Sequence, residues 1–522
     1  MALLIAAAAC HEDDIIPTGE PAQLRSIIPA ASSVVIGAGE KADLYITVKD
    51  NGFDLLSCSV ALLKTDGKAS SNVSLAGISK DNVTPGRYLI QLSDIGSDIS
   101  YEEKLQLAVT LEGGSTVLSS PFTAVKNIDP DAPDYMKTGL PVVYVNTAGG
   151  RAVTSKTTFI EAGMSISGAG GHEGMSAVSC NIRGRGNTTW TWPKKPYLLK
   201  LDEKRPVFGL PKHKRWVLLA NFMDRTLMRN MVSMHVSQLT RLAWTPHCVP
   251  VELVLNGVHQ GTYLLIEQVR VDNDRVDVKE MTNLDNVGEA VTGGWLLELD
   301  FHYDNDFQWK ERNIPFAVKY PDPDDLTAPQ KKYIKDYIAE VSSAIYGSGF
   351  ADPAKGYAKY IDVDSFVDYW IVFEVMCNHE LGNPGSVFFH KDRGGKLTAG
   401  PCWDFDWGVL SFKTTPGDQR LINRHAIWYD RLFQDPAFKE KVKTRFYELL
   451  PELEKIPDYM DECENLLKKS ADLNFEMWNP ADDRTQNGGQ IINGDEDLSF
   501  HDAVTRLKSN FRTHLEIIKK NL

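Results

Sequence analysis

The ten residues NIDPDAPDYM (127–136), with two prolines and three aspartates, divide the sequence into two stretches of different periodicity. Neither a helix nor a strand accommodates prolines and charges at that spacing, so the segment reads as a linker. Before it, from 31 to 126, apolar residues alternate with polar ones in short runs such as ADLYITVKD, GRYLIQLSD and KLQLAVTLEGGS. A period of two is that of a half-buried strand. Asn-Gly, Asp-Gly and Gly-Gly pairs separate the runs, and no helical stretch intervenes. These features predict a small all-β sandwich, immunoglobulin-like, of about a hundred residues. It carries no titratable cluster, which fits a spacer or adhesion role.

From 137 onward the pattern changes. Strand-like runs come first (GLPVVYVNT, AVSCNIRGRG, PYLLKLDE, RWVLLAN), then the amphipathic stretch DRTLMRNMVSMHVSQLTRL, predicted as a helix with Asp224 as its N-cap. VPVELVLNGVHQGTYLLIEQV is a hairpin about Asn256-Gly257. Helical patterns follow: PQKKYIKDYIAEVSSAIYG, DSFVDYWIVFEVMCNH, AFKEKVKTRFYELL and HDAVTRLKSNFRTHLEIIKK. The reading is an α+β domain with a strand-rich lobe at about 137–270, a helix-rich lobe at about 271–522, and a cleft between them.

A chain of 522 residues exceeds what one core supports, and its net charge of −14 argues against a nucleic-acid partner. Its seven cysteines include no CxxC, so neither a zinc site nor a disulfide framework is legible. The opening MALLIAAAAC, followed by HEDD, is similar to the end of a bacterial lipoprotein signal (1–10) in which Cys10 would be lipidated. Residues 11–30 then form a tether. The acidic cluster after Cys10 resembles the export signal of surface lipoproteins in some Gram-negative bacteria, so the expected location is the outer-membrane surface. Contact with the membrane would be through that anchor alone, because no run approaches 18 apolar residues.

Three clusters carry candidate chemistry. In RGRGNTTWTWPKKPYLLKL, Gly184 and Gly186 permit close backbone approach, while Arg183, Arg185, Lys194, Lys195 and Lys200 supply positive charge, a combination suited to polyphosphate. Glu267 ends the apolar strand GTYLLIEQV, either paired with a cation or facing solvent at an edge. The third cluster, NHELGNPGSVFFHKDRGGKLTAGPCWDFDWG, holds His379, Glu380, Asn383 and Ser386, then Asp404 and Asp406 among aromatic rings. Oxygen ligands on two sides of a hairpin suit Mg²⁺, which binds few protein carboxylates and completes its shell with phosphate and water. Equally, Asp404 could bond the amides of its own turn.

In this order, RGRGNTTWTWPKKPYLLKL, VLLANFMDRTLMRN, VELVLNGVHQGTYLLIEQV and GPCWDFDWG resemble the CotH family of spore-coat-type atypical protein kinases, from about Leu140 to the C-terminus. The resemblance implies a two-lobed, kinase-like fold that binds ATP with Mg²⁺ (or Mn²⁺) and transfers phosphate to Ser or Thr of a protein substrate. It implies Lys200 as the phosphate lysine with Lys195 as rival, oriented by Asp224 or Arg229, and Glu267 with Gln268 near the adenine. Asp404 would hold the metal with Asp406, and Asn383 and Ser386 would be further metal ligands. The family pattern has an Asp followed by an Asn in the catalytic segment; here Glu380 takes the Asp place and Ser386 precedes the strand. An extra methylene displaces the carboxylate by about an ångström, which can cost about 10²-fold in rate. The alternative is therefore a non-catalytic surface protein that binds glycan or protein ligands on the same scaffold. A metal-dependent hydrolase using Asp404, Asp406 and Glu380 lacks any HExxH.

The anchor is directly testable. Cys10→Ser is expected to leave the protein unlipidated and out of the membrane fraction; normal retention by membranes would show that Cys10 is not the anchor.

Overall fold

A computed structural model describes residues 24–50, 54–302, 306–411, 419–481 and 493–522, so the signal and Cys10 lie outside the described residues. The chain folds as two compact units, Met1–Pro130 and Asp131–Leu522.

The first unit is a two-sheet sandwich. One sheet runs β1 (Leu24–Pro29), β3 (Lys41–Asp50), β6 (Arg87–Asp94), β5 (Val73–Lys80). The other runs β2 (Ser33–Val35), β9 (Phe122–Lys126), β7 (Tyr101–Thr110), β4 (Ser59–Lys64), with β8 (Thr116–Leu118) beside β7. Setting aside β2 and β8, this is the strand order of an immunoglobulin constant-type sandwich. The alternation is a packing pattern: Leu44, Ile46 and Val48 of β3 and Tyr88, Ile90 and Leu92 of β6 meet Leu105, Leu107 and Val109 of β7. Between the sheets, Lys126 pairs with Asp94 at 2.9 Å and is buried with it. The tether expected through residue 30 ends earlier, because Leu24–Pro29 pairs antiparallel with β3 and buries Leu24 and Ile27.

The second unit begins with a closed seven-stranded barrel. Its strands are β10 (Val142–Thr147), β11 (Ile160–Ser167), β12 (Met175–Gly184), β13 (Tyr197–Arg205), β14 (His213–Leu219), β15 (Cys248–Leu255) and β16 (Val258–Glu267). They close in the order β10-β11-β12-β13-β14-β16-β15, with β10 and β15 parallel at the seam. The inner face is packed with Val143, Met164, Ile182, Leu199, Trp216, Val251 and Leu265. The Asn256-Gly257 hairpin forms as its sequence demands, with φ of 51° and 78° and Leu255 opposite Val258.

Beyond the barrel the expected helix-rich lobe is mixed. A five-stranded antiparallel sheet contains β17 (Trp295–Leu299), β18 (Gln308–Glu311), β19 (Ile314–Tyr320), β20 (Val387–Lys391) and β21 (Leu397–Ala399), ordered β18-β19-β17-β20-β21. Its centre, WLLEL and IPFAVKY, is apolar on both faces, the pattern of strands covered on two sides. Helices α2 (Ala328–Tyr346), α3 (Val363–Val375), α4 (Tyr429–Leu432), α5 (Pro436–Leu453), α6 (Ile456–Met477) and α7 (Phe500–Asn521) pack with this sheet around one large core. α3 is apolar nearly all round and is correspondingly buried. No helix of the described residues is long and apolar enough to cross a membrane.

The remaining helix, inserted between β14 and β15, starts at Arg229 rather than just after Asp224, and runs to Gln238. Asp224 instead folds back: its carboxylate accepts from the Thr226 and Arg229 N–H groups and pairs with the Arg229 guanidinium. Arg229, fully buried, also pairs with Asp495 at 2.6 Å and donates from Nε to the Val409 carbonyl at 2.9 Å. Removing the cation from such a triad strands two carboxylates in the interior. Arg229→Met is therefore expected to lower the unfolding free energy of the second unit by about 3–5 kcal/mol, measured by denaturant unfolding of the full chain; a change within about 0.5 kcal/mol would place the triad outside the stabilising framework.

Candidate active site

A cleft of about 710 Å³ opens where one end of the barrel meets the sheet and the loops after α3 and β21. Each wall derives from a local sequence signal. β12 ends at Gly184, and Arg185-Gly186 follow as a turn; Gly186 has φ of 83°, and a Cβ there would strike the Thr189 hydroxyl. The turn delivers Arg185 into the cleft, over the Trp403 ring with 5.4 Å to its centroid. β17 contributes Glu298, with Asp300 just beyond its end, and β19 contributes Lys319, paired with Glu298 at 2.9 Å. Glu380, Asn383 and Ser386 come from the loop before β20, and Asp404 and Asp406 from the loop after β21.

The acidic loop is clamped from behind. Phe405 N–H donates to Asn230 Oδ1 at 2.8 Å, and Gly408 N–H to Asn493 Oδ1 at 2.9 Å. Asn493 Nδ2 donates to the Asp406 carbonyl at 3.2 Å, and Arg229 holds Val409 as above. Trp407 stacks on Trp192 of the Gly-turn loop with planes 7° apart and centroids at 6.2 Å, tying the two loops together. Ser386 and Asp404 both occupy left-handed backbone, φ 56° and 65°, and the Ser386 hydroxyl donates to Asp404 Oδ2 at 3.2 Å. Such conformations cost of order 1–3 kcal/mol and persist where surrounding contacts dictate them, often at functional sites.

Five carboxylates (Glu298, Asp300, Glu380, Asp404, Asp406) and three cations (Arg185, Arg270, Lys319) line the cleft, a formal excess of two negative charges. The imbalance bears on the carboxyl groups. Burial, then the charges of Asp404, Asp406 and Asp300, raises the Glu380 carboxyl well above its ordinary range. Asp406 is pushed up to about 8, first by burial and then by Asp404 and Asp224, against the opposing charge of Arg185. Burial also raises Glu298, despite Lys319. Glu380 Oε2 is shut off from water and has no hydrogen-bond partner. Among the described residues no three His, Cys, Asp or Glu side chains stand close enough to cage a metal unaided. This donor set fits an ion that takes one or two carboxylates and draws its remaining ligands from phosphate and water.

Arg185, Glu380, Asn383, Ser386, Asp404 and Asp406 thus share one cleft. The other expected residues lie elsewhere. Lys200 is exposed on β13 opposite Asn181 and Arg215, and Lys195 gives its ammonium to the Trp190 carbonyl at 2.9 Å, so neither lines the cleft. Arg183 stands over the Phe159 ring on the barrel's outer side. Asp224 is consumed by Arg229. Glu267 falls opposite Trp216, whose ring belongs to the barrel core; it accepts from the His247 N–H at 3.0 Å and lies 3.6 Å from Arg275. It is neither at the cleft nor in solvent, whereas the next residues, Gln268–Val271, do line the cleft. Lys194 is a buried strut, donating to the Thr262 carbonyl and to Asn474 of α6, and burial pulls its ammonium down to about 7.

Sequence reasoning missed Glu298, Asp300, Lys319 and Arg270. The signal was present in WLLELD, where two carboxylates two residues apart on an apolar strand share one face.

The family described as CotH kinase protein matches residues 182–519. The chain belongs to the CotH family. Comparison with curated proteins found no match. Solved structures with some likeness include the S-layer protein SbsC domains 4 and 5, at 12% identity and a TM-score of 0.14 over 21% of this chain and 53% of that one. Clostridium thermocellum CbhA fibronectin(III)-like modules align at 10% identity over 37% and 90%, with a TM-score of 0.13. SbsC domains 5–6 align at 10% over 37% and 96%, with a TM-score of 0.14. The chain spans about half the length of the first SbsC segment, and likeness this slight carries no argument about its fold or activity.

A carboxyl whose folded pKa is raised stabilises the fold below its unfolded value, near 4, and loses that contribution as pH climbs through the folded value. The metal-free unit should therefore weaken between about pH 4 and pH 8, the upper bound being that of Asp406. Asp406→Asn should raise the metal-free melting temperature at about pH 9 and raise it less at about pH 5; an equal effect at both would mean that Asp406 is ionised throughout.

Proposed function

We propose that the cleft binds ATP with Mg²⁺ or Mn²⁺ and transfers phosphate to Ser or Thr of a protein, the chain being displayed at the cell envelope through Cys10. The observation that carries this reading is the excess of facing carboxylates, one with an unpartnered oxygen, beside a Gly turn that delivers Arg185. Burying like charges together is unfavourable unless a cation joins them. Asp404 and Asp406 would hold the ion, with Asn383 and Ser386 beside them; when bound, it neutralises phosphate oxygens and orients them.

The chain's own groups supply the rest. Arg185 and Lys319 offer positive charge to phosphate, and Gly186 lets the backbone approach it. Leu219, Val269 and Leu296 make the apolar stretch of the lining against which a base can pack. Glu380 accepts the proton of the acceptor hydroxyl as its oxygen bonds the γ-phosphorus and the bond to the β-phosphate oxygen breaks, leaving ADP. In this reading Lys319, which comes from β19 and pairs with Glu298, takes the phosphate-cation role expected of Lys200.

ATP with Mg²⁺ at about a hundred times its Kd should stabilise the protein by about 2.7 kcal/mol, visible as a thermal shift. Asp404→Ala should abolish that shift. Glu380→Gln should keep it while losing about 10²-fold or more of phosphotransfer. An undiminished shift in the Asp404 variant removes that residue from the site; binding without transfer in the unaltered chain selects the non-catalytic surface protein instead.

A further inference from the structure

The barrel's outer face carries cations that the cleft chemistry does not use. Register places Asn181 opposite Lys200 and Lys200 opposite Arg215, with Arg183 two residues beyond Asn181, so β12, β13 and β14 present Arg183, Lys200 and Arg215 on one face. The guanidiniums of Arg183 and Arg215 both stand over the Phe159 ring, 5.1 and 5.5 Å from its centroid. Arg270, exposed at the cleft, lies within electrostatic reach of Arg215.

Arg215 is faced by two of the other cations. Burial, then Arg270 and Arg183, pulls Arg215 down to about 10, and no carboxylate opposes the shift. Arg183 Nε is shut off from water with no hydrogen-bond partner. Two carboxylates share this face at its far side: Asp202 accepts from Asn181, and Glu161 of β11 stands opposite Asn181, while Asp272 pairs with Lys204. In a protein of net charge −14, two arginines that share an aromatic ring and form no ion pair among the described residues mark a place for an external anion.

We propose that Arg183, Arg215 and Arg270, with Lys200 and Phe159, recognise an acidic segment of the protein whose hydroxyl enters the cleft. This names the substrate class for the phosphotransfer reading and rests on it. The patch begins at the cleft with Arg270 and extends over the barrel surface, a layout suited to an extended chain, while the nucleotide's phosphates have Arg185 and Lys319 inside. An acidic residue a few positions from the acceptor Ser or Thr would reach it.

The test is direct binding of two fluorescent peptides to the full chain: one serine flanked by aspartates, and the same peptide with asparagines. The acidic peptide should bind about tenfold tighter or more, a difference of about 1.4 kcal/mol. Arg215→Gln should lose most of that preference, Arg215→Lys should retain part, and the nucleotide thermal shift of Arg215→Gln should be unchanged. In the unaltered protein the preference should vanish near 1 M salt, where the screening length is about 3 Å; this holds whether or not the variant folds. Equal binding of the two peptides, a preference indifferent to salt, or one fully kept by Arg215→Gln overturns the proposal. Peptide discrimination without any nucleotide shift would support the surface and remove the phosphotransfer reading, so the two can fail separately.

Discussion

Arg229 is the residue on which the arrangement of the cleft depends. Its guanidinium is fully buried, joins Asp224 ahead of the inserted helix to Asp495 ahead of α7, and donates to the Val409 carbonyl behind the acidic loop. Three segments far apart in sequence are held by one side chain. A buried ion triad is weak evidence of net stability, because well-packed apolar groups often do as well. What apolar groups cannot supply is direction: a planar fork of donors sets where the loop carbonyl lies, and with Asn230 and Asn493 it holds Asp404 and Asp406 toward the cleft.

Given that frame, the cleft is a problem of charge. Asp404, Asp406, Glu380, Asp300 and Glu298 converge from three chain segments, with Arg185 and Lys319 as near compensation. Burial among like charges raises the carboxyls of Glu380 and Asp406, a cost that a bound cation would relieve. A divalent ion and a polyphosphate would bring a countercharge and its anion together. Membership of the CotH family agrees with that chemistry.

How much of this the sequence disclosed can be argued residue by residue. The Gly turn with Arg185 and the acidic loop with Asp404 and Asp406 are local motifs, and they stand in one cleft because their turns present them there. Lys200 and Glu267 went astray for a common reason. A strand alternates faces, and sequence alone does not say which face meets the cleft once the sheet closes into a barrel. Lys200 therefore points outward beside Arg215, and Glu267 points inward beside Trp216, one residue short of the cleft-lining Gln268. Leu24–Pro29 was absorbed into the tether because a six-residue run ending in proline shows its strand only when β3 is there to pair with it.

By itself the sequence determined the break at 127–136, the alternation of the first unit, the Asn256-Gly257 hairpin and the ordered motifs of the CotH family. All of these are written in nearest-neighbour spacing and in backbone preferences of glycine, proline and asparagine. Tertiary structure decided which charges meet. Closure of the barrel and insertion of β17 and β19 beside it brought Glu298, Asp300 and Lys319 to Asp404, and turned Arg183 and Lys200 away. Electrostatic pairing depends on distance through space, and contacts between residues a hundred positions apart leave no period in the chain for a reader to find.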